Sequence, residues 1–242
     1  MIIAIAFAIF ISKLIGGLCT LYFKDKLHLV LGFSAGAVMG VVFFDLFPEA
    51  VELGQKFYPL EMITASMALG FLLYLVFDRA VLLHSQHTEH PDLDKTEVNG
   101  RGLLGAGSLS LHSFFDGLAI GLAFQVSLAV GFVVATAVLV HTFSDGINTV
   151  NLILKNRGTG RTALLWLVFG SFAPVFGIIS TLFFTLPEQS LSIILALFSG
   201  SFLYIGASEL VPESHHAHPK LLTTLMTVLG AGVLFTVIRL IQ

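Results

Sequence analysis

The chain has 242 residues, 56% of them hydrophobic and only 11% charged, with a mean hydropathy of +0.93. Soluble domains carry about 25% charged residues, so a single large soluble domain is excluded and an all-α, polytopic membrane protein is expected. The net charge of −3 says little by itself, no nucleic-acid partner is expected, and with Cys19 the only cysteine no intrachain disulfide can form.

Eight apolar segments each approach the ~20 residues a bilayer requires. They run over 2–23, 29–51, 60–83, 103–125, 127–154, 162–185, 190–211 and 220–241, and predict one transmembrane domain across 1–242. The first is too long for a signal peptide, lacks a basic start and has no small-x-small cleavage site, so it is expected to be retained. Within it, Lys13 reads as a snorkelling or carbonyl-paired side chain. Lys24-Asp25-Lys26 ends this segment. The second carries Met39, Asp45, Glu49 and Glu52, and Tyr58-Pro59 breaks the chain before the third. Asp78 and Arg79 close the third at a membrane boundary, where Arg79 is expected to snorkel and Asp78 is given no chemistry. The longest connection, about 84–101, holds His84, His87, His90, Asp92, Asp94 and Glu97; its histidines with Asp92 and Asp94 fit either a weak metal-binding loop or an ordinary polar connection. Tight connections follow at Gln125 to Ser127, Lys155 to Gly158 and Leu186 to Glu188. His215 to Lys220 joins the last two segments.

Alternating connections place Lys24, Lys26, Arg79, Lys95, Arg101, Lys155, Arg157, Arg161 and Lys220 on one side of the membrane, and only Lys56 and Arg239 on the other. The richer side is cytoplasmic by the positive-inside rule. Both termini then face outward, and loop 84–101 faces the cytosol.

Two internal repeats stand out. Gly36 is followed, after eight residues, by Asp45-Leu46-Phe47-Pro48-Glu49, and Gly200 in the same way by Glu209-Leu210-Val211-Pro212-Glu213. The two segments run in opposite directions, so the acid clusters fall at opposite membrane faces. That pattern predicts a 3+2+3 inverted repeat, with spans 1–3 related to 6–8 and spans 4 and 5 between them, which is a transporter architecture. The second repeat is His112-Ser113-Phe114-Phe115-Asp116-Gly117 in span 4 and His141-Thr142-Phe143-Ser144-Asp145-Gly146 in span 5. Residues four apart share a helix face, so each span presents an imidazole and a carboxylate together.

A charge at the bilayer centre costs about 2.5–3.5 kcal/mol by insertion scales, so these groups are not there for stability. At ~1.5 Å per residue, His112 and Asp116 lie ~14–20 Å into their span, and His141 and Asp145 ~21–27 Å in from the other side. The two pairs can meet, and two imidazoles with two carboxylates form a ligand set for a divalent transition metal. Asp45 and Glu49 on the outer side, and Glu209 and Glu213 on the inner, are candidate way-station ligands. Met39 offers a soft thioether. A metal transporter explains both acid clusters. The alternative, a membrane-embedded zinc-dependent hydrolase, explains only the buried His and Asp.

These residues resemble the ZIP (Zrt/Irt-like) family of divalent-metal transporters. The resemblance spans nearly the whole chain and rests on the two His-x-x-x-Asp-Gly motifs together with the Asp-Leu-x-Pro-Glu and Glu-Leu-x-Pro-Glu stretches. It implies uptake of Zn²⁺, or of Fe²⁺, Mn²⁺ or Cd²⁺, toward the cytosol through a site between spans 4 and 5, an elevator-like movement, a homodimer and a plasma (inner) membrane location. His112, Asp116, His141 and Asp145 match the family's main metal site, and Met39 matches a soft ligand of some members. The departures are Phe115 and Ser144 where members often carry proline, Ser113 and Thr142 where many carry Asn, Asp or Glu, and Ala173 before Pro174 where some carry Glu. Those places build a second, adjoining metal site in relatives, so a single-metal site is expected here. Asp rather than Glu at 145 also shortens that ligand's reach.

Overall fold

The computed structural model describes residues 1–22, 28–86, 95–156, 158–215 and 221–241, and every regular element among them is helical. Hydrocarbon offers no partner to backbone N–H and C=O groups, so each apolar segment must satisfy them internally as a helix. The first span is α1 (Ile2–Tyr22). The second is α2 (His28–Val41), a π-helical turn (Val42–Leu46) and α3 (Phe47–Gly54). The third to sixth are α4 (Leu60–Gln86), α5 (Lys95–Val126), α6 (Leu128–Lys155) and α7 (Gly160–Ser180). The seventh is α8 (Glu188–Tyr204), a second π-helical turn (Ile205–Leu210) and α9 (Val211–His215), and the eighth is α10 (Leu221–Ile241). Eight of these stretches are long and apolar enough to cross a membrane.

The expected ends shift by a few residues, most at loop 84–101, where α4 continues to Gln86 and α5 already begins at Lys95. His87, His90, Asp92, Asp94, His216 and His218 lie outside the described residues, as do the side chains of His84, Glu97 and His215. Two tight connections end in capped helices. The Ser127 hydroxyl accepts from the Val130 N–H at 3.1 Å, and the Thr159 hydroxyl accepts from the Thr162 N–H at 3.1 Å.

The two π-turns fall where the acid-Leu-x-Pro-Glu repeats lie. The Phe47 N–H donates to the Val42 carbonyl and the Val211 N–H to the Gly206 carbonyl, one residue further back than in an α-helix. Pro48 and Pro212 come next, and neither has an N–H to give. Asp45 and Glu209 therefore stand in a widened turn rather than in a regular helix.

Helices pack in parallel pairs: α1 on α6, α5 on α7, α2 on α10 and α4 on α8, with α5 antiparallel against α6. A pair of glycines makes each of the first four crossings. Gly16 meets Phe143 while Gly146 meets Lys13, and Gly177 meets Phe114 while Gly117 meets Pro174. Gly36 meets Thr227 while Gly230 meets Phe33, and Gly70 meets Leu197 while Gly200 meets Met67. In every pair, each glycine faces the residue three places before its partner glycine. A Cβ at any of the eight positions would run into a backbone carbonyl, so the helices touch backbone to backbone, as small residues allow in membranes. Large apolar side chains such as Phe7, Leu72, Phe169 and Phe183 point outward, while Ala35, Val38, Ala123, Val134 and Val138 fill the interior. This reverses the soluble pattern and suits a lipid surround.

Candidate metal site

The α1–α6 and α5–α7 crossings sit beside the His-x-x-x-Asp-Gly motifs, because Gly117 and Gly146 are the last residues of those motifs. Each crossing fixes the motif's backbone, and the α5–α6 contact turns the two motif faces toward each other. His112, Asp116, His141 and Asp145 are all buried and converge, one ligand atom from each lying within 4.8 Å of the others. Nε2 of His112 stands 3.2 Å from Oδ2 of Asp116 and 3.9 Å from Oδ2 of Asp145. Nε2 of His141 stands 3.3 Å from the same Asp116 oxygen.

Second contacts orient these groups. The His141 ring places Nδ1 3.0 Å from the Ala137 carbonyl. With the Nδ1–H donated there, the neutral ring turns the Nε2 lone pair to the cluster, as metal-ligating histidines usually do. Tyr74 packs edge-on against His112 at 5.6 Å, and Phe202 against His141 at 5.7 Å. These apolar walls keep water from the site.

Three polar atoms of this group have no hydrogen-bond partner among the described residues: His112 Nε2, Asp116 Oδ1 and Asp145 Oδ2. A buried acceptor left unmade costs about 1–3 kcal/mol, more when charged, and each such group calls for an explanation. A divalent cation among them provides one, since imidazole nitrogen and carboxylate oxygen are its usual donors.

The other candidate ligands are not part of this group. Asp45 is buried in the first π-turn, Glu49 and Glu213 are half-buried, and Glu52 is exposed. Glu209 is half-buried and within electrostatic reach of Asp145, His141 and Asp116. Met39 is half-buried and packs on Gly206 of the second π-turn. Among the described residues no second group of three or more His, Cys, Asp or Glu side chains converges.

One expectation from sequence fails, and one side chain gains a partner. Lys13 does not snorkel: it is fully buried and its ammonium donates to the Ser113 hydroxyl. Its head group lies instead between α5 and α7, beside Ser113 and Gly170. Asp78, given no chemistry, accepts a 2.7 Å hydrogen bond from the Tyr204 hydroxyl. Both contacts join residues 100 or more apart in sequence, beyond what helical spacing reveals. The burial of Lys13 had one local signal, a lysine near the middle of an otherwise apolar segment.

The family model described as "ZIP Zinc transporter" matches residues 84–238, more than half of the chain. Human zinc transporter ZIP6 is 29% identical over 134 residues, covering 55% of this chain but only 18% of its own length. Mouse zinc transporter ZIP1 is 25% identical over an alignment covering 90% of this chain and 80% of its own. Rat metal cation symporter ZIP8 is 31% identical over 142 residues, 54% of this chain and 30% of its own. The chain thus spans less than a fifth of the ZIP6 protein and most of ZIP1. With eight apolar helices and a family match that includes both buried His-x-x-x-Asp-Gly motifs, this integral membrane protein belongs to the ZIP zinc transporter family.

Proposed function

We propose that the protein carries divalent transition-metal ions, Zn²⁺ foremost, across the membrane toward the cytosol, bound between α5 and α6 by His112, Asp116, His141 and Asp145. The observation that carries this reading is the buried convergence of those four side chains with acceptor atoms left unsatisfied. Two borderline nitrogens and two or more hard oxygens suit Zn²⁺ and accept Cd²⁺, Fe²⁺ or Mn²⁺. One ion fits the set. Ser113, where relatives can place a second ligand, is already engaged by Lys13 and by the Leu109 carbonyl.

Asp45 and Glu49 load the ion from outside, and Glu209 and Glu213 receive it inside, with Met39 a supplementary soft ligand. The 3+2+3 inverted repeat is supported by the packing. Exchanging spans 1, 2, 3 and 4 for 6, 7, 8 and 5 maps the α1–α6 glycine crossing onto α7–α5, and α2–α10 onto α8–α4. It also maps one π-turn onto the other. A structure with two equivalent halves of opposite direction is suited to expose one site first to one side and then to the other. Outward termini and a plasma membrane location follow from the charge asymmetry and the resemblance, and a homodimer from the resemblance alone. The relatives named above are transporters, which supports transport over the membrane-embedded hydrolase.

The test is flux. Pure protein in liposomes should give saturable Zn²⁺ or Cd²⁺ influx, read by an internal dye, and the His112→Ala and Asp145→Ala variants should lose it. Metal-dependent lipid hydrolysis without flux would overturn the reading.

A further inference from the structure

Lys13 is the one cation fully buried among the described side chains, and the transport reading does not use it. Its backbone carbonyl lies against Gly146, the residue after Asp145. Its ammonium donates to Ser113, the residue after His112. The Ser113 hydroxyl spends its own proton on the Leu109 carbonyl at 2.9 Å, so toward Lys13 it only accepts. One lysine therefore braces both motif helices.

The space around its head group is built for it. An added Cβ at Gly170 would come 3.5 Å from Nζ of Lys13 and 3.0 Å from the Ser110 hydroxyl. A glycine on α7 and a serine on α5 thus leave a slot between three helices. The charged groups acting on Lys13 are the carboxylates of Asp145 and Asp116.

We propose that Lys13 is a positioning residue of the metal site, a fixed cation supplied by the chain that weakens the site's hold on its ion and so speeds release. The two carboxylates alone would match a divalent ion in charge and retain it tightly in a low-dielectric interior. With Lys13 within electrostatic reach of both, the loaded site carries surplus positive charge, and the ion leaves more easily. The empty site is correspondingly less repulsive, because the ammonium offsets part of the charge of two neighbouring carboxylates.

This inference rests on the four-residue site assigned above, and its test separates the two. Purified native protein and Lys13→Met are titrated with Cd²⁺ by calorimetry, and both are assayed for Cd²⁺ influx in liposomes. Lys13→Met should bind Cd²⁺ about tenfold more tightly or better, with a lower KM and a lower maximal rate, and Lys13→Arg should restore native values. A merely structural lysine would lower the maximal rate with the folded fraction and leave Kd and KM unmoved; that result, or weaker binding in Lys13→Met, overturns the inference alone. Absence of stoichiometric binding by the native protein overturns the site and the inference together. Should Lys13→Met not fold, Lys13→Gln, which keeps a donor for Ser113, removes the same charge and is judged by the same readings.

Discussion

Oδ2 of Asp116 lies 3.3 Å from Nε2 of His141 and 3.2 Å from Nε2 of His112, so one oxygen faces imidazoles from two different spans. That oxygen is where the two motifs meet. Removing it should do more harm than removing any one contact at the rim of the cluster. Asp116→Asn keeps the size but not the charge. Losing an outer partner of a metal ligand typically costs about 10–100-fold in affinity. Asp116→Asn should weaken Zn²⁺ binding by at least about a hundredfold, measured by competition with a chelating dye, while the protein still elutes as folded material.

Acidification should weaken metal binding. Imidazole nitrogen and carboxylate oxygen must be deprotonated to bind a cation, so protons and metal compete for the same lone pairs. The sign is fixed by mass action: the Zn²⁺ Kd rises as pH falls, and binding releases protons. Calorimetry in buffers of different ionisation enthalpy reads the released protons directly. A Kd that stays constant or improves on acidification contradicts this.

The glycine crossings should tolerate no side chain. A Cβ on Gly36 would strike the Thr227 carbonyl, and one on Gly200 the Met67 carbonyl. Overpacking a tight interior costs about 1–3 kcal/mol or more, and here the obstacle is backbone. Gly36→Val and Gly200→Val should each lower the temperature of aggregation and the yield of monodisperse protein. Gly160 or Gly232, where an added Cβ meets nothing within 4 Å, should accept alanine without loss.

Gln125 should matter for stability though it is far from the acid clusters in sequence. Its side-chain amide donates to the Thr181 and Phe184 carbonyls at 3.1 and 2.8 Å, and its oxygen accepts from the Leu186 N–H at 3.0 Å. One side chain thus ties the end of α5 to the segment leaving α7. Gln125→Leu frees these backbone groups where α7 has ended, at about 1–3 kcal/mol for those that water cannot reach. The expected outcome is faster proteolytic cleavage near 181–186, with Zn²⁺ affinity unchanged.

The convergence of His112, Asp116, His141 and Asp145 was legible because its signal is local: a spacing of four puts His112 with Asp116, and His141 with Asp145, on one face. The spans were legible because hydrocarbon leaves the backbone a single local solution. The burial of Lys13 and the partner of Asp78 were not legible, because Ser113 and Tyr204 are 100 and 126 residues away, and no periodicity reports such a meeting. The π-turns were half-legible. Pro48 and Pro212 announce a missing donor, yet sequence alone does not say whether the helix kinks, breaks or widens. Glycine spacing hinted at close packing after Asp116 and Asp145, but the matched crossings required knowing which helices are neighbours.

Everything proposed for this protein depends on two imidazoles and two carboxylates from α5 and α6 holding one cation. X-ray absorption at the zinc edge, on protein loaded with one equivalent of Zn²⁺, tests it most directly. The expected spectrum has a nitrogen and oxygen shell at about 2.0–2.2 Å, with the scattering pattern of imidazole, lost when His112 and His141 are both changed to alanine. Imidazole scattering that survives that double substitution, or that is absent from the native protein, would contradict it.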